Sequence, residues 1–208
     1  MVQTKKQAPY HHGELREALV DAGRKLLEEK GLRGFTLREC ARRAGVSHGA
    51  PAYHFASIDD LLAEIAARGL GELSGMMAAE AARAGDDATR RLVGQGVGYM
   101  AFAAAHPMLF RLMFNRETDA FETPALVAAA KAMREQHFAA IEAALPKAAP
   151  EVKERMSDFA WATMHGFITL VLEGQVGEAD SSRALKARGM SLLAAMAETV
   201  VRAGGVDD

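Results

Sequence analysis

Leu15, Leu19, Ala22 and Leu26 recur at intervals of four, three and four, the repeat that lines one face of a helix. A helix is therefore predicted from Gly13, and Lys30 followed by Gly31 ends it with a basic last turn and a residue free to take positive φ. Thr36-Leu37-Arg38-Glu39 reads as a reciprocal cap, with the Thr hydroxyl on the third amide and Glu39 reaching back to the cap amide, so a second helix starts at Leu37. It lasts about two turns before Gly45 and Val46. Ser47 then offers a cap for a short helix running to Phe55, and Ser57 with Asp60 opens another carrying Leu61, Leu62, Ile65 and Leu70. Beyond Gly71 a long helix is predicted to fade near Ala84. A break at Gly85-Asp86-Asp87 and a helix to Ala105 follow, and His106-Pro107 interrupts the pattern, because a residue before proline avoids helical geometry. A short helix through Phe110 and Phe114, a polar loop over residues 115–123, and helices opened by Pro124 and Pro150 come next; the last two helices are predicted over residues 150–175 and 182–203.

The order long helix, short helix, glycine turn, short helix is the grammar of a helix-turn-helix. The pattern predicts an all-α chain of about nine helices. An N-terminal three-helix DNA-binding unit with its arm is predicted over residues 1–60, and a second helical domain over residues 61–208. Composition agrees: half of the 208 residues are apolar, only six are Pro, and aromatic residues make up 6%. Such a chain favours helices over sheets. Cys40, the only cysteine, excludes an intrachain disulfide and reads as a small buried apolar side chain.

Net charge is −2, but it is uneven: residues 1–60 hold ten Lys and Arg against eight Asp and Glu, and four of the seven His. The N-terminal end, including Lys5 and Lys6 in a polar arm over residues 1–10, is where contact with a polyanion is expected. No apolar stretch approaches the roughly 20 residues needed to cross a bilayer, and no apolar signal core follows the basic start. A cytoplasmic protein, associated with the nucleoid when bound to DNA, is the expectation. His106, His137 and His165 are dispersed, and there is no His-Glu-x-x-His, phosphate-binding glycine loop or nucleophile elbow. No catalytic residue, metal site or cofactor is therefore expected. A purely structural helical adaptor would account for the alanine-rich helices but leaves the basic arm and the glycine turn unexplained.

In a helix-turn-helix the second helix presents its first turns to base edges. Here that start is Ser47-His48-Gly49-Ala50, where Gly49 permits close backbone approach, Ala50 suits a thymine methyl and His48 suits guanine N7 or O6. Pro51 lies near the first turn, where a missing amide is tolerated. Tyr53, His54, Thr36, Arg38, Arg42 and Arg43 carry donors suited to phosphates. Leu37, Cys40, Ala41, Val46 and Phe55 read as core.

Residues 11–65 resemble the DNA-binding region of the tetracycline-repressor (TetR) family. The likeness rests on His12-Gly13-Glu14-Leu15, Phe35-Thr36-Leu37-Arg38-Glu39, Ala44-Gly45-Val46-Ser47, Tyr53-His54-Phe55 and Asp60-Leu61-Leu62. His106-Pro107 with Leu109-Phe110-Arg111-Leu112-Met113-Phe114, and Trp161 with His165-Gly166, are similar to the subgroup named for a Trp-His-Gly C-terminal domain. The chain departs from the family in having Ile58 where a phosphate-contacting Lys is usual, and Ala52 where many members carry an aromatic residue. Either Tyr53, His54 and the arm carry more of the affinity, or the operator is held weakly.

The resemblance implies a repressor that binds a palindromic DNA operator and is released by a small, largely apolar effector. It also implies a homodimer through the last two helices. Ala160, Gly166, Ala184, Ala187, Ala194 and Ala195 would allow close helix approach there, while Phe167, Leu170, Leu193, Met196 and Val200 supply apolar area. Candidate effector contacts are Phe102, Phe110, Met113, Met133, His137, Phe138, Trp161, Met164 and His165. Met adapts its shape, and Trp and His add polar handles; Trp161 and His165, four apart, also suit one another as interior partners.

Overall fold

Ten helical elements follow one another in the computed structural model, which describes residues 12–114, 123–176 and 182–205. The basic arm and nearly all of the polar loop expected after Phe114 lie outside the described residues. The elements are α1 (His12–Lys30), a 3-10 turn (Leu32–Gly34), α2 (Leu37–Arg43), a second 3-10 turn (Ala50–Tyr53), α3 (Ile58–Arg83), α4 (Ala88–Ala105), α5 (Pro107–Phe114), α6 (Pro124–Ala144), α7 (Pro150–Leu172) and α8 (Ser182–Gly204). There is no strand among them, and no single helix among the described residues is long and apolar enough to cross a membrane.

Most boundaries sit where the local chemistry puts them. Thr36 Oγ1 accepts from the Glu39 amide at 3.2 Å. The Ser57 box is complete, with both reciprocal bonds at 3.1 Å. At the end of α2, Gly45 takes φ 71°, which lets its own amide reach Arg42 O and the Val46 amide reach Ala41 O. Gly174 does the same after α7, so that helix stops at Leu172 rather than Gln175. The helix expected over residues 58–70 and the one expected beyond Gly71 are one helix of 26 residues. At His106-Pro107 the chain turns by 110° from α4 into α5.

The first unit is held to the rest by α1 and α3, which run side by side. Gly23 allows the approach, since a Cβ there would lie 2.8 Å from Ile65 Cδ1. Ion pairs lace the same seam: Arg16 binds Glu64 with two bonds of 2.8 and 2.9 Å, Arg68 joins Glu64 to Glu17, and Arg24 meets Glu72. One apolar cluster continues from Leu19, Leu26 and Phe35 through Leu61, Ile65 and Leu70 to Phe102, Leu109 and Ile141. Each fully buried large side chain contributes about 1.5–3 kcal/mol. α5 is tied to α1 as well, because the Glu28 carboxylate accepts from the Met108 and Leu109 amides at 3.3 and 3.1 Å, next to the proline that has no amide to offer.

Hydrogen bonding to Arg16, opposed by burial and helped by Arg68, holds the Glu64 carboxyl at about 2. Its stabilising share is therefore complete above the ordinary value of 4.5 and is lost as pH falls through about 2. Glu64→Gln is expected to lower stability at pH 6 and to flatten the loss between pH 4.5 and 2. Urea titrations of both proteins at pH 6 and pH 3 measure this: equal losses on acidification would refute it.

Candidate functional site

The segment predicted as a second short helix over residues 47–55 is instead a single 3-10 turn. The reason is Pro51. With Ser47 as cap, residue 51 would carry the first amide to close an α-helical ring, onto Ser47 O, and proline has none. The Ala50 amide takes that carbonyl instead, at 3.0 Å, and the His54 and Phe55 amides both turn to Pro51 O at 2.9 Å. Ser47 thus caps no helix. Ser47, His48 and Gly49 form an exposed corner, and Tyr53 projects from the turn with 85% of its surface exposed. Phe55 is buried, with the Arg16 guanidinium 5.2 Å above its ring.

The remaining candidates divide. Thr36, Arg38 and Arg42 are exposed on the same unit, and Arg38 has no ion partner among the described residues. Arg42 is gripped by Glu39 with two bonds of 2.7 Å. Hydrogen bonds from Arg42 and then Arg43 hold the Glu39 carboxyl at about 2, so it grips both arginines rather than the Thr36 amide that the sequence suggests. Arg43 is largely covered and bound to Glu29 and Glu39, which makes it a brace between α1 and α2. Ala50 is buried under the turn, away from a surface where it would meet a thymine methyl. His54 is half-buried, Ala52 is exposed, and Ile58 packs against the core. Cys40 is fully buried, and burial pushes its thiol up to about 11.

In the larger half, sequence reasoning missed Tyr99. Its hydroxyl lies 2.8 Å from His165 Nδ1, and its ring meets Phe110 and Trp161 edge-on at 5.5 Å each. Burial lowers the His165 pKa and raises that of Tyr99, which favours the neutral form of both groups across this hydrogen bond. Trp161 stacks on His165 at 6.1 Å, but the hydrogen bond of that histidine goes to Tyr99. His137, neutral through burial, donates from Nε2 to Ser157 O at 3.1 Å. Around His137, Trp161 and Met164 only about 20 Å³ is open. Phe102 and Met133 are solid core, Met113 packs beside Gly69, and Phe138 lines neither opening.

A cleft of about 560 Å³ lies elsewhere, where the end of α1 and its 3-10 turn face α5 and α7. Lys30, Gly31, Leu32 and Arg33 form one wall, and Met108, Phe110, Arg111, Phe114, His165, Thr169, Leu172 and Glu173 form the other. Of the residues expected to meet an effector, only Phe110 and His165 reach it. The signal that was present is the basic residue in Phe110-Arg111, one turn from the proline break.

Residues 19–65 match the profile of the tetR family of bacterial regulatory proteins, and residues 92–193 that of the tetracyclin repressor-like C-terminal domain. The second profile places the larger half in the family without separating a Trp-His-Gly subgroup. No curated protein matches the chain. Among solved structures, a protein of unknown function from Rhodococcus sp. RHA1 is 30% identical over 94% of this chain and 98% of its own, with a TM-score of 0.76. A TetR family transcription regulator from Marinobacter aquaeolei VT8 is 15% identical, covering 88% and 94%, with a TM-score of 0.64. A TetR variant from Acinetobacter baumannii AYE, solved with minocycline, is 19% identical, covering 91% and 97%, also with a TM-score of 0.64. At those lower identities the likeness is one of fold.

Proposed function

Because this chain belongs to the tetR family of bacterial regulatory proteins, we propose that it is a transcriptional repressor that holds a palindromic operator as a homodimer and lets go when a small, largely apolar effector binds. Residues 1–60 read DNA, and residues 61–208 sense the effector and pair the protomers. The observation that carries this is the exposed corner at Ser47, His48 and Gly49 beside Tyr53, flanked by exposed Arg38 and Arg42. Donors at that corner suit base edges in a major groove, and those around it suit phosphates.

What α7 and α8 leave uncovered supports the pairing. Phe159 and Leu170 on α7, and Met190 and Val201 on α8, are large apolar side chains facing solvent, with exposed Ala162, Ala187 and Ala194 between them. Ala160, Leu193, Met196 and Val200 are buried within the chain, so they belong to its own core rather than to a partner. Two copies joined through the exposed face form a four-helix bundle and set their reading corners about 34 Å apart, one turn of DNA.

Effector binding favours a state in which α3 has shifted, so that the two corners no longer fit successive grooves. Sequencing the genomic fragments retained by the purified protein tests the reading. A palindrome with half-sites about one turn apart is expected, and retention of no sequence above background would refute it. Leu170→Glu is expected to convert the dimer to monomer in sedimentation velocity, with operator binding lost alongside; a variant that stays dimeric would move the interface elsewhere.

A further inference from the structure

The cleft between the DNA-reading unit and the larger half has a definite chemical character. At about 560 Å³ it has the size of a small-molecule site. Its floor is aromatic: Phe114 lies 4.8 Å from Phe110 and 4.7 Å from His165, ring centre to ring centre, and Phe110 stacks on His165 at 5.6 Å. With Nδ1 of His165 taken by Tyr99, the nitrogen that histidine has left to offer a ligand is Nε2.

The rim is cationic. Lys30, Arg33 and Arg111 face a single carboxylate, Glu173. Arg111 is engaged: its Nε lies 3.5 Å from Glu173 Oε1, an ion pair without hydrogen-bond geometry, and its guanidinium also donates to Leu172 O. Lys30 stands 3.9 Å from Glu39, a loose pairing, and Arg33 has no ion partner among the described residues. A surplus of positive charge beside a cluster of aromatic rings, Phe114 tilted against both Phe110 and His165, fits an anion with an aromatic body that can meet ring faces and edges.

We propose that this cleft binds an aromatic monocarboxylate, its ring on Phe110, Phe114 and His165 and its carboxylate toward Arg33 and Lys30. The proposal rests on the reading of the chain as a ligand-released repressor, and gives that effector a class. Lys30 and Arg33 sit at the end of α1, while the opposite wall is α5, whose first amides are held by Glu28 of α1. A ligand there touches both sides of the joint between reading unit and body, so its occupancy discriminates between arrangements of that joint.

Titration calorimetry of the full-length protein with 2-naphthoate and with its uncharged analogue 2-naphthamide tests it. The acid is expected to bind at least tenfold more tightly, and Arg33→Gln to bring it down to the level of the amide. Thr169→Trp, filling the cleft from an exposed position on α7, is expected to abolish both. Saturating 2-naphthoate is expected to weaken retention of operator DNA. Equal binding of acid and amide, no binding of either, a preference that survives Arg33→Gln, or binding that leaves DNA retention unchanged overturns the proposal. A protein that prefers the acid but retains no DNA keeps the cleft as the site of this ligand class and refutes the repressor reading instead.

Discussion

Replacing His48 and Tyr53 together by alanine is expected to weaken operator binding about a hundredfold while leaving thermal stability unchanged. Both side chains stand at the exposed corner and take little part in the core. A good contact to a base edge, suited to His48, contributes about 1–3 kcal/mol, and a hydrogen bond from Tyr53 to a phosphate about 1.5–3 kcal/mol, so a combined loss of about 2.8 kcal/mol gives that factor. Fluorescence anisotropy on the recovered operator measures the affinity, and circular dichroism the melting. An unchanged dissociation constant would move DNA recognition away from this corner. Arg43→Ala provides the contrast: its guanidinium braces α1 against α2 through Glu29 and Glu39, so the loss is expected in melting temperature first.

Gly98→Val is expected to cost about 3 kcal/mol or more, toward the upper end of overpacking penalties, and to lower the melting temperature by about 6–12 °C or prevent folding. A Cβ at Gly98 would stand 2.6 Å from the carbonyl oxygen of Met76 and 2.7 Å from Cα of Met77. Gly94, one turn earlier, presses as closely on Glu80 and Ala81. The obstacles are backbone of α3, which cannot rotate aside as a side chain would. Gly75→Ala is the matched control: it lies mid-helix with nothing within 4 Å of an added Cβ, and about 0.5–1 kcal/mol of stabilisation is expected from lost freedom in the unfolded chain. Thermal melts of both variants decide the matter, and a Gly98→Val protein as stable as the parent would show that α3 and α4 have room to separate.

Features encoded within a few residues were readable in advance. The hydroxyl caps at Thr36 and Ser57, the stop at Gly45, and the breaks at Gly85 and His106-Pro107 all stand where the sequence puts them, because each depends on one side chain and its nearest amides. The exception is Pro51, where placing the residue one position later in the turn changes a tolerated loss into a missing first ring. What the sequence did not reveal lies between helices. Gly94 and Gly98, which the sequence did not single out, bring the backbone of α4 directly against the backbone of α3, while Gly75 on α3 has nothing within 4 Å of an added Cβ. Composition cannot tell these glycines apart; only the partner helix does. Tyr99 finds His165 66 residues away, and the wall of the cleft at Lys30–Arg33 faces segments that begin at Met108 and at His165, so no local pattern announces either.

The single unbroken rod formed by α3 has a mechanical consequence. Its 26 residues span about 39 Å at 1.5 Å per residue. A tilt of about 3° pivoting at the Arg83 end sweeps the Ser57 end through about 2 Å, enough to pull a donor out of hydrogen-bonding range. Changes in the body too small to disturb its packing would thereby be magnified at the tip, and the stiffness of this one element would set how far the corner at residues 47–53 moves.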